Sequence, residues 1–273
     1  MTTTTTGKRR EERVPTSTWT QARVVLYQPS QRPERRAGDW QTRVTDAGER
    51  RVRVVGRLGQ RHADVLEAIC YTALRRRNID DGGIELLVDP HQVRRVMSGG
   101  RGQYSSEQLR VLLADLRGAV IEIETPELAK QGQRIIGGLI DHWIPSCRTV
   151  TDPLSGGVRQ LWRVRLGVAL AALIRADGGV WRDPAPIARL GSGVSQAVAR
   201  HVLTQAAPPR GGWKLDGLLD AVGIAPGADR RKARRRLRLD AAGLAALGIE
   251  IAGDRVHQHR GQAVEAGGAE DAA

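Results

Sequence analysis

A dense run of cationic side chains lies near the C-terminal end of the chain. Seven of the nine residues from 230 to 238 are cationic: Arg230, Arg231, Lys232, Arg234, Arg235, Arg236 and Arg238. Ala233 and Leu237 are four residues apart and predict a helix with one apolar face. The cations that would then project together are Arg231, Arg234, Arg235 and Arg238. Phosphates would relieve their mutual repulsion, and the planar guanidinium group also matches the O6 and N7 atoms of guanine.

The elements around this run indicate how it would be presented. A short helix over 218–224 and a turn through Pro226 and Gly227 precede it, and a hairpin over 249–259 follows. The order strand, short helix, turn, longer helix and hairpin is that of a winged helix, whose second helix enters the major groove. Further candidate DNA-binding residues lie before the short helix and in or after the hairpin: Lys214, Arg255, His257, His259 and Arg260.

Two other interpretations of these side chains stay open. A charge run is also typical of a solvated helix face or of a localisation signal. His257 and His259 alternate on a strand and so share one face, which would suit a metal pair, but a third ligand is not evident. We therefore expect DNA binding without a metal ion.

A similar order of elements is predicted earlier in the chain. Strands are expected over 24–27 and 52–55, and a helix with one apolar face over 58–74. Arginines at 75–77 and the Asp-Asp-Gly-Gly sequence at 80–83 are expected to end that helix, because cations suit the negative end of its dipole.

A strand, two helices and a hairpin follow. The strand is expected over 84–88, and Asp89 should cap a helix with Pro90 at its first position and the residues from His91 to Met97 after it. Ser105 or Ser106 should cap the second helix, and strands over 120–124 and 134–140 form the hairpin. The buried stripe of the second helix is Leu109, Leu112, Leu113 and Leu116.

This earlier unit is less basic than the later one. Glu107 and Asp115 accompany the cations of its second helix, which favours phosphate contact or dimer formation over base reading. Its candidate DNA-binding residues are Arg94, Arg95, Arg101, Arg110 and Arg117.

The predicted fold class is α+β, mostly helical, with two tandem winged-helix domains and disordered ends. The first domain is expected to span 21–150 and the second 159–260. The second domain would begin with a strand over 161–166 and a helix over 168–174. A linker is expected near 145–158, which contains Pro145, Pro153, Gly156 and Gly157. Residues 1–20 and 261–273 are expected to be a disordered arm and a disordered acidic tail.

Composition limits the class of partner and the compartment. There are 43 Lys and Arg against 30 Asp and Glu, a net charge of +13, which favours a polyphosphate partner. No apolar run approaches the about 20 residues of a membrane span, and the N-terminal residues lack the apolar stretch of a signal peptide. Cys70 and Cys147 do not form a CxxC pair. We expect a soluble, cytoplasmic protein.

A catalytic constellation is not evident in the sequence. The phosphate-binding and zinc-protease motifs are absent, and the residues around Ser192 lack the flanks of a nucleophile elbow. Tyr71 and Tyr104 are the candidate nucleophiles for strand nicking, but neither has a histidine pair nearby in sequence. We therefore expect a protein without enzymatic activity or cofactor.

Four stretches resemble bacterial plasmid replication initiators. Residues 54–69 are similar to the first long helix of that family, after a short strand. The stretches 161–173, 214–219 and 234–249 are similar to the RepC initiators of IncQ-type plasmids, with Ile249 where that family has an aromatic residue.

The resemblance implies a concrete function. Such initiators have two winged-helix modules and bind direct repeats, called iterons, at a plasmid origin. The helix with Arg230 to Arg238 would read the major groove, residues 255–260 would be the wing, and the first module would contact the backbone and support a homodimer. Binding would open an adjacent AT-rich segment and recruit the replicative helicase or its loader.

Two alternatives use the same residues. A winged-helix transcriptional repressor or partition-type protein would bind inverted rather than direct repeats. An RNA-binding basic protein would prefer structured RNA over duplex DNA at equal salt.

Overall fold

The computed structural model describes residues 14–31, 40–45, 48–100, 104–124, 130, 132, 134–152, 155–176, 179–205 and 207–259. The fold is mixed α and β over the described residues, so that the expectation of a mostly helical protein overstates its helix content. The predicted acidic tail over 261–273 and residues 1–13 of the predicted arm lie outside the described residues.

Residues 14–31 form a structured segment near the N-terminus. It forms β1 (Ser17–Thr18) and α1 (Trp19–Arg23), and Thr18 caps the helix through a hydrogen bond from the Gln21 amide. The predicted arm over 1–20 is therefore wrong for residues 14–20. The strand predicted over 24–27 is also wrong, because this stretch is irregular and buries Leu26 and Tyr27 without joining a sheet.

The first half of the chain contributes most of two four-stranded sheets. Its elements are β2 (Trp40–Thr45), β3 (Gly48–Val55), α2 (Gln60–Tyr71), β4 (Arg75–Asn78), β5 (Ile84–Val88), α3 (Pro90–Met97), α4 (Ser106–Gly118), β6 (Val120–Glu124) and β7 (Ile135–Gly137). The capping predictions are confirmed: Asp89 accepts from the His91 amide, and Ser105 forms a capping box with Gln108. Strands β2, β3, β6 and β7 form one antiparallel sheet in the order β2-β3-β6-β7.

The second sheet overturns two predictions. It contains β4 and β5 together with β8 (Ile140–Thr151) and β9 (Val158–Leu166), in the order β4-β5-β9-β8. The arginines at 75–77 form its edge strand rather than a helix end, because the Asp-Asp-Gly-Gly turn with Gly82 at φ 80° returns the chain onto β5. The linker predicted near 145–158 is wrong, because residues 145–151 lie in β8 and pair with β9, which begins at Val158. Strand β8 accommodates Pro145 because it lies at the edge of the sheet.

The C-terminal half is mainly helical and ends in a hairpin. Its elements are α5 (Val168–Ala176), β10 (Gly179–Val180), α6 (Ala185–Ala188), α7 (Gly193–Leu203), β11 (Trp213–Lys214), α8 (Leu215–Ala221), α9 (Ala228–Leu239), α10 (Ala241–Ala245), β12 (Ile249–Ala252) and β13 (Arg255–Gln258). Strands β11, β13 and β12 form a three-stranded sheet in that order, and β1 pairs with β10. The apolar spacing from Ala233 through Ala241 and Leu244 to Leu247 predicts one continuous helix from about Asp229 to Leu247. This prediction is wrong, because α9 ends at Leu239, α10 begins only after Asp240, and Ala241 is exposed.

Buried apolar side chains form two clusters. The first core draws on residues 14–173 and the second core on residues 187–256. Strand β9 pairs with β5, and Arg159 of β9 lies 3.0 Å from Asp89 at the start of α3. The strand and helix predicted to open the second domain, β9 and α5, therefore pack in the first core.

Candidate nucleic-acid interface

Helix α9 is anchored at both ends and along one face. Ala233 and Leu237 are buried in the second core. The helix begins after Gly227, whose φ of 92° favours glycine. At its other end Asp240 accepts hydrogen bonds from the amides of Gly191 at 3.0 Å and Ser192 at 2.9 Å, which fixes α9 against the start of α7.

Two of the predicted DNA-binding arginines turn towards α8. Arg234 donates to Asp216 at 2.8 Å, and this hydrogen bond lowers the pKa of the Asp216 carboxyl. Arg230 lies 3.7 Å from Asp216, forms an ion pair with Asp220 and is largely buried. The expectation that Arg234 projects with Arg231, Arg235 and Arg238 is therefore wrong: Arg230 and Arg234 hold α9 to α8.

The other five cations of α9 face solvent. We call them the basic face: Arg231, Lys232, Arg235, Arg236 and Arg238. Lys232 lies 4.0 Å from Asp229, whereas the four arginines form no ion pair with any residue that the structure describes. Arg231, Arg235 and Arg238 are spaced four and three apart and so share one side of the helix. The basic face is thus a concentrated positive surface on which only Lys232 has an acid within 4.0 Å among the described residues, which suits a polyanion.

The hairpin beside α9 places some of its predicted DNA-binding residues in internal contacts. Lys214 is exposed on β11, opposite Arg255 on β13, and Arg255 donates to the carbonyl oxygens of Gly211 and Gly212 at 3.3 and 3.4 Å. His259 lies 2.8 Å from a Glu250 carboxylate oxygen, and His257 is half-buried.

Two further predictions for the hairpin are a DNA contact by Arg260 and a metal pair formed by His257 and His259. Arg260 lies outside the described residues. Within the described part of the chain, no three His, Cys, Asp or Glu side chains lie close enough together to hold a metal ion, so the structure offers no third ligand for His257 and His259.

The predicted basic residues of the first core form a weaker surface. Arg94 donates to the Tyr104 carbonyl at 3.3 Å, and Arg110 lies 3.9 Å from Glu107. Arg95 and Arg117 are exposed, and Arg101 lies outside the described residues. These cations are dispersed, and two of them already contact a carbonyl or a carboxylate of the protein, in contrast to the four arginines of the basic face.

Asp115, the second acid predicted beside them, faces His62. Burial lowers the pKa of His62, whose Nδ1 accepts from the Gly59 amide at 2.9 Å. The neutral ring then donates from Nε2 to Asp115 at 3.1 Å. Asp115 therefore helps to position α2 against α4.

A buried polar cluster between the two cores was missed from the sequence. Arg200 of α7 donates to Gln60, Asp64 and Glu67 of α2 at 2.7, 2.6 and 3.0 Å. Arg182 donates to the other oxygen of Glu67 at 2.8 Å. We call these five residues the inter-core cluster. Its only sequence signals are an arginine within the apolar face of α7 and acids three residues apart among the buried positions of α2.

Burial affects the two acids of the inter-core cluster differently. Burial raises the pKa of Asp64 to about 6, although Arg200 opposes the shift. Burial would also raise the pKa of Glu67, but Arg200 and Arg182 outweigh it and lower the pKa below its ordinary value. Glu67 is therefore the acid whose ionised form the folded protein favours, and the cluster joins the two cores through charge.

The N-terminal segment also bridges the two cores. Arg23 donates to the Thr204 carbonyl at 2.6 Å, and Gln60 donates to the Tyr27 carbonyl at 3.1 Å. Helix α1 packs on α7 of the second core, while Val14 is buried in the first. The segment and the inter-core cluster together tie α9 to the first core through α7.

The remaining candidate residues lie apart from this surface. Tyr71 is exposed, and burial raises the pKa of Tyr104. Burial also raises the pKa of the Cys70 thiol to about 12, and Cys147 is exposed; both are free. Among the helices described, none is long and apolar enough to cross a membrane.

Neither a protein-family model nor a curated protein sequence matches the chain. A crystal structure of domains 2 and 3 of RctB resembles it with a TM-score of 0.54 at 11% identity, covering 91% of this chain and 96% of that one. A second structure of RctB domains 2-3 gives a TM-score of 0.51 at 9% identity, covering 82% and 84%. The likeness shows a shared fold and does not support the more specific assignment to the RepC family of IncQ-type plasmids.

Proposed function

We propose that this protein binds double-stranded DNA at a replication origin and that the basic face of α9 is its main contact surface. The observation that carries the proposal is the basic face itself: five exposed cations on one anchored helix, four of them without an ion pair in the described part of the chain. A surface of this kind attracts phosphates, and arginine can in addition read guanine.

The surrounding elements support entry of α9 into the major groove. Strand β11, helix α8, the turn at Gly227, helix α9 and the β12–β13 hairpin follow in the order of a winged helix, with α9 in the place of the recognition helix. We assign Lys214 and the hairpin to flanking backbone contact, and Arg95 and Arg117 to weaker phosphate contact from a first winged-helix module.

The fold supports a role in replication rather than in transcription. RctB, whose domains 2 and 3 share this fold, is a replication initiator of Vibrio chromosome II. We propose that this chain likewise acts by binding, without a chemical step, at direct repeats of a plasmid origin. Opening of an AT-rich segment, recruitment of a helicase or its loader and formation of a homodimer belong to the same proposal.

The experiment is selection from a random duplex-DNA pool at physiological salt. The test variant replaces Arg231, Arg235 and Arg238 by Ala and leaves the paired Arg230 and Arg234 intact. The matched control removes the same charge elsewhere by replacing three exposed arginines by Ala: Arg57, Arg75 and Arg148.

We expect the wild type and the control to enrich one motif and the α9 variant to lose it. If the three α9 arginines contact phosphates, the slope of log K against log salt should fall in magnitude by about 3. Equal losses in both triple variants would contradict the proposal, because net charge alone would then explain binding. Inverted repeats in the motif would favour a repressor over an initiator, and tighter binding of structured RNA would favour an RNA-binding protein.

A further inference from the structure

An apolar side chain lies within the basic face. Leu239 is 77% exposed, more than any other large hydrophobic residue among those described. It is the last residue of α9, four positions after Arg235 and three after Arg236, so that all three project from one side of the helix. Helical side chains lean towards the N-terminus, and Leu239 therefore covers the turn from which these arginines extend.

The packing of α9 does not account for this leucine. Ala233 and Leu237 already form the stripe that the second core buries, and Leu239 points away from it. Its neighbours on the exposed side are cations, so the surface is apolar at one point and strongly positive around it. A partner that fits must be anionic and must offer a small apolar group between its charges.

Duplex DNA supplies this combination in its major groove. Its backbone is anionic, and the C5-methyl of thymine is the apolar group that the base edges present there, a known contact for apolar side chains. Four helical residues span about 6 Å, or about two base-pair steps of 3.4 Å. A thymine within about two base pairs of a base contacted by Arg235 would therefore lie within reach of Leu239.

We propose that Leu239 reads the C5-methyl group of a thymine next to the bases or phosphates bound by Arg235 and Arg236. This inference rests on the proposed function and adds a specificity-determining residue to it. Leu239 makes the face selective by shape and apolar contact, whereas the arginines supply affinity and guanine recognition.

The test uses the motif that the wild-type protein selects. Each thymine of the motif is replaced in turn by deoxyuridine, which lacks only the C5-methyl group and pairs identically. Binding is measured for the wild type, for Leu239→Ala and for a control, Val158→Ala, which shortens a similarly exposed aliphatic side chain on β9. Circular dichroism melting of each variant checks that the fold is unchanged.

We expect one thymine at which deoxyuridine weakens wild-type binding about fourfold, as the burial of one methyl group predicts. Leu239→Ala should bind the thymine motif with a similar loss and show no further loss with deoxyuridine, while Val158→Ala should behave as the wild type. A motif that is enriched but insensitive to deoxyuridine at every thymine would overturn this inference alone. So would a Leu239→Ala variant that keeps the sensitivity. If the wild type enriches no motif, the proposed function fails, and the inference fails with it.

Discussion

Arg200 is the residue through which the two cores share charge, and its replacement by Met tests that connection. The substitution keeps a long side chain but removes three hydrogen bonds, to Gln60, Asp64 and Glu67. Arg200 is 4% exposed, and its acidic partners are also buried. Glu67 would retain only Arg182, and Asp64 would retain no cation in the inter-core cluster.

Removal of one partner from a buried ion pair costs about 3–5 kcal/mol, because the other charge is left desolvated. For a chain of this size, 1 kcal/mol corresponds to roughly 2–4 °C, so we expect a melting midpoint lower by about 6–20 °C at pH 7.5. The loss should be smaller at pH 5. Burial already raises the pKa of Asp64 to about 6, and the absence of Arg200 raises it further, so that the folded variant binds a proton as the pH falls and its stability recovers.

Calorimetry at pH 7.5 and pH 5 measures both effects. The matched control is Arg148→Met, an exposed arginine on β8 whose loss should change the free energy of unfolding by less than about 0.5 kcal/mol. A loss below about 1 kcal/mol for Arg200→Met at pH 7.5, or a loss that is the same at both pH values, would refute the account of a charge-bearing contact between the cores.

Two further predictions concern the anchoring of α9. Leu237→Asp should unfold the second core, because it places an unpaired charge among buried apolar side chains, and an unchanged melting curve would contradict the packing of this helix. Asp240→Ala removes the acceptor for the Gly191 and Ser192 amides and should cost about 1–3 kcal/mol in urea denaturation, with weaker DNA binding as the end of α9 loosens; an unaltered denaturation midpoint would show that these contacts do not position the helix.

Helix caps, apolar spacing and turn residues were sufficient to predict those elements whose formation depends on neighbouring residues in the sequence. Asp89 followed by proline, and Ser105 with Gln108, marked helix starts that the structure has. The apolar spacing of Ala233 and Leu237 was sufficient to predict which side of α9 is buried. The β12–β13 hairpin could be predicted because its two strands are joined by a short glycine turn.

Predictions failed where the partner of an element lies far along the chain. A run of arginines after a helix has the same composition whether it ends that helix or forms an edge strand, and only the pairing of β4 with β5 decides. Strand β9 pairs with β5, more than 70 positions earlier, so its place in the first core could not be read from the order of elements. The inter-core cluster is non-local in the same way, since Arg200 meets acids more than 130 positions away.

The cations of α9 fall into two groups because α8 supplies acids to only one side of the helix. Seven cations in nine residues would repel one another on an isolated helix. Asp216 and Asp220 of α8 engage Arg230 and Arg234, which lie on the side of α9 next to its buried stripe. Such partly exposed ion pairs contribute little stability each, about 0–1 kcal/mol.

The effect of these ion pairs is better understood as orientation. They turn two cations inward, reduce the repulsion within α9, and leave a basic face whose four arginines form no ion pair in the described part of the chain. Asp240 then fixes the end of the same helix against α7, and Arg200 fixes α7 against α2 of the first core. The position of the basic face is therefore set by carboxylates at three successive contacts: from α8 to α9, from α9 to α7, and from α7 to α2.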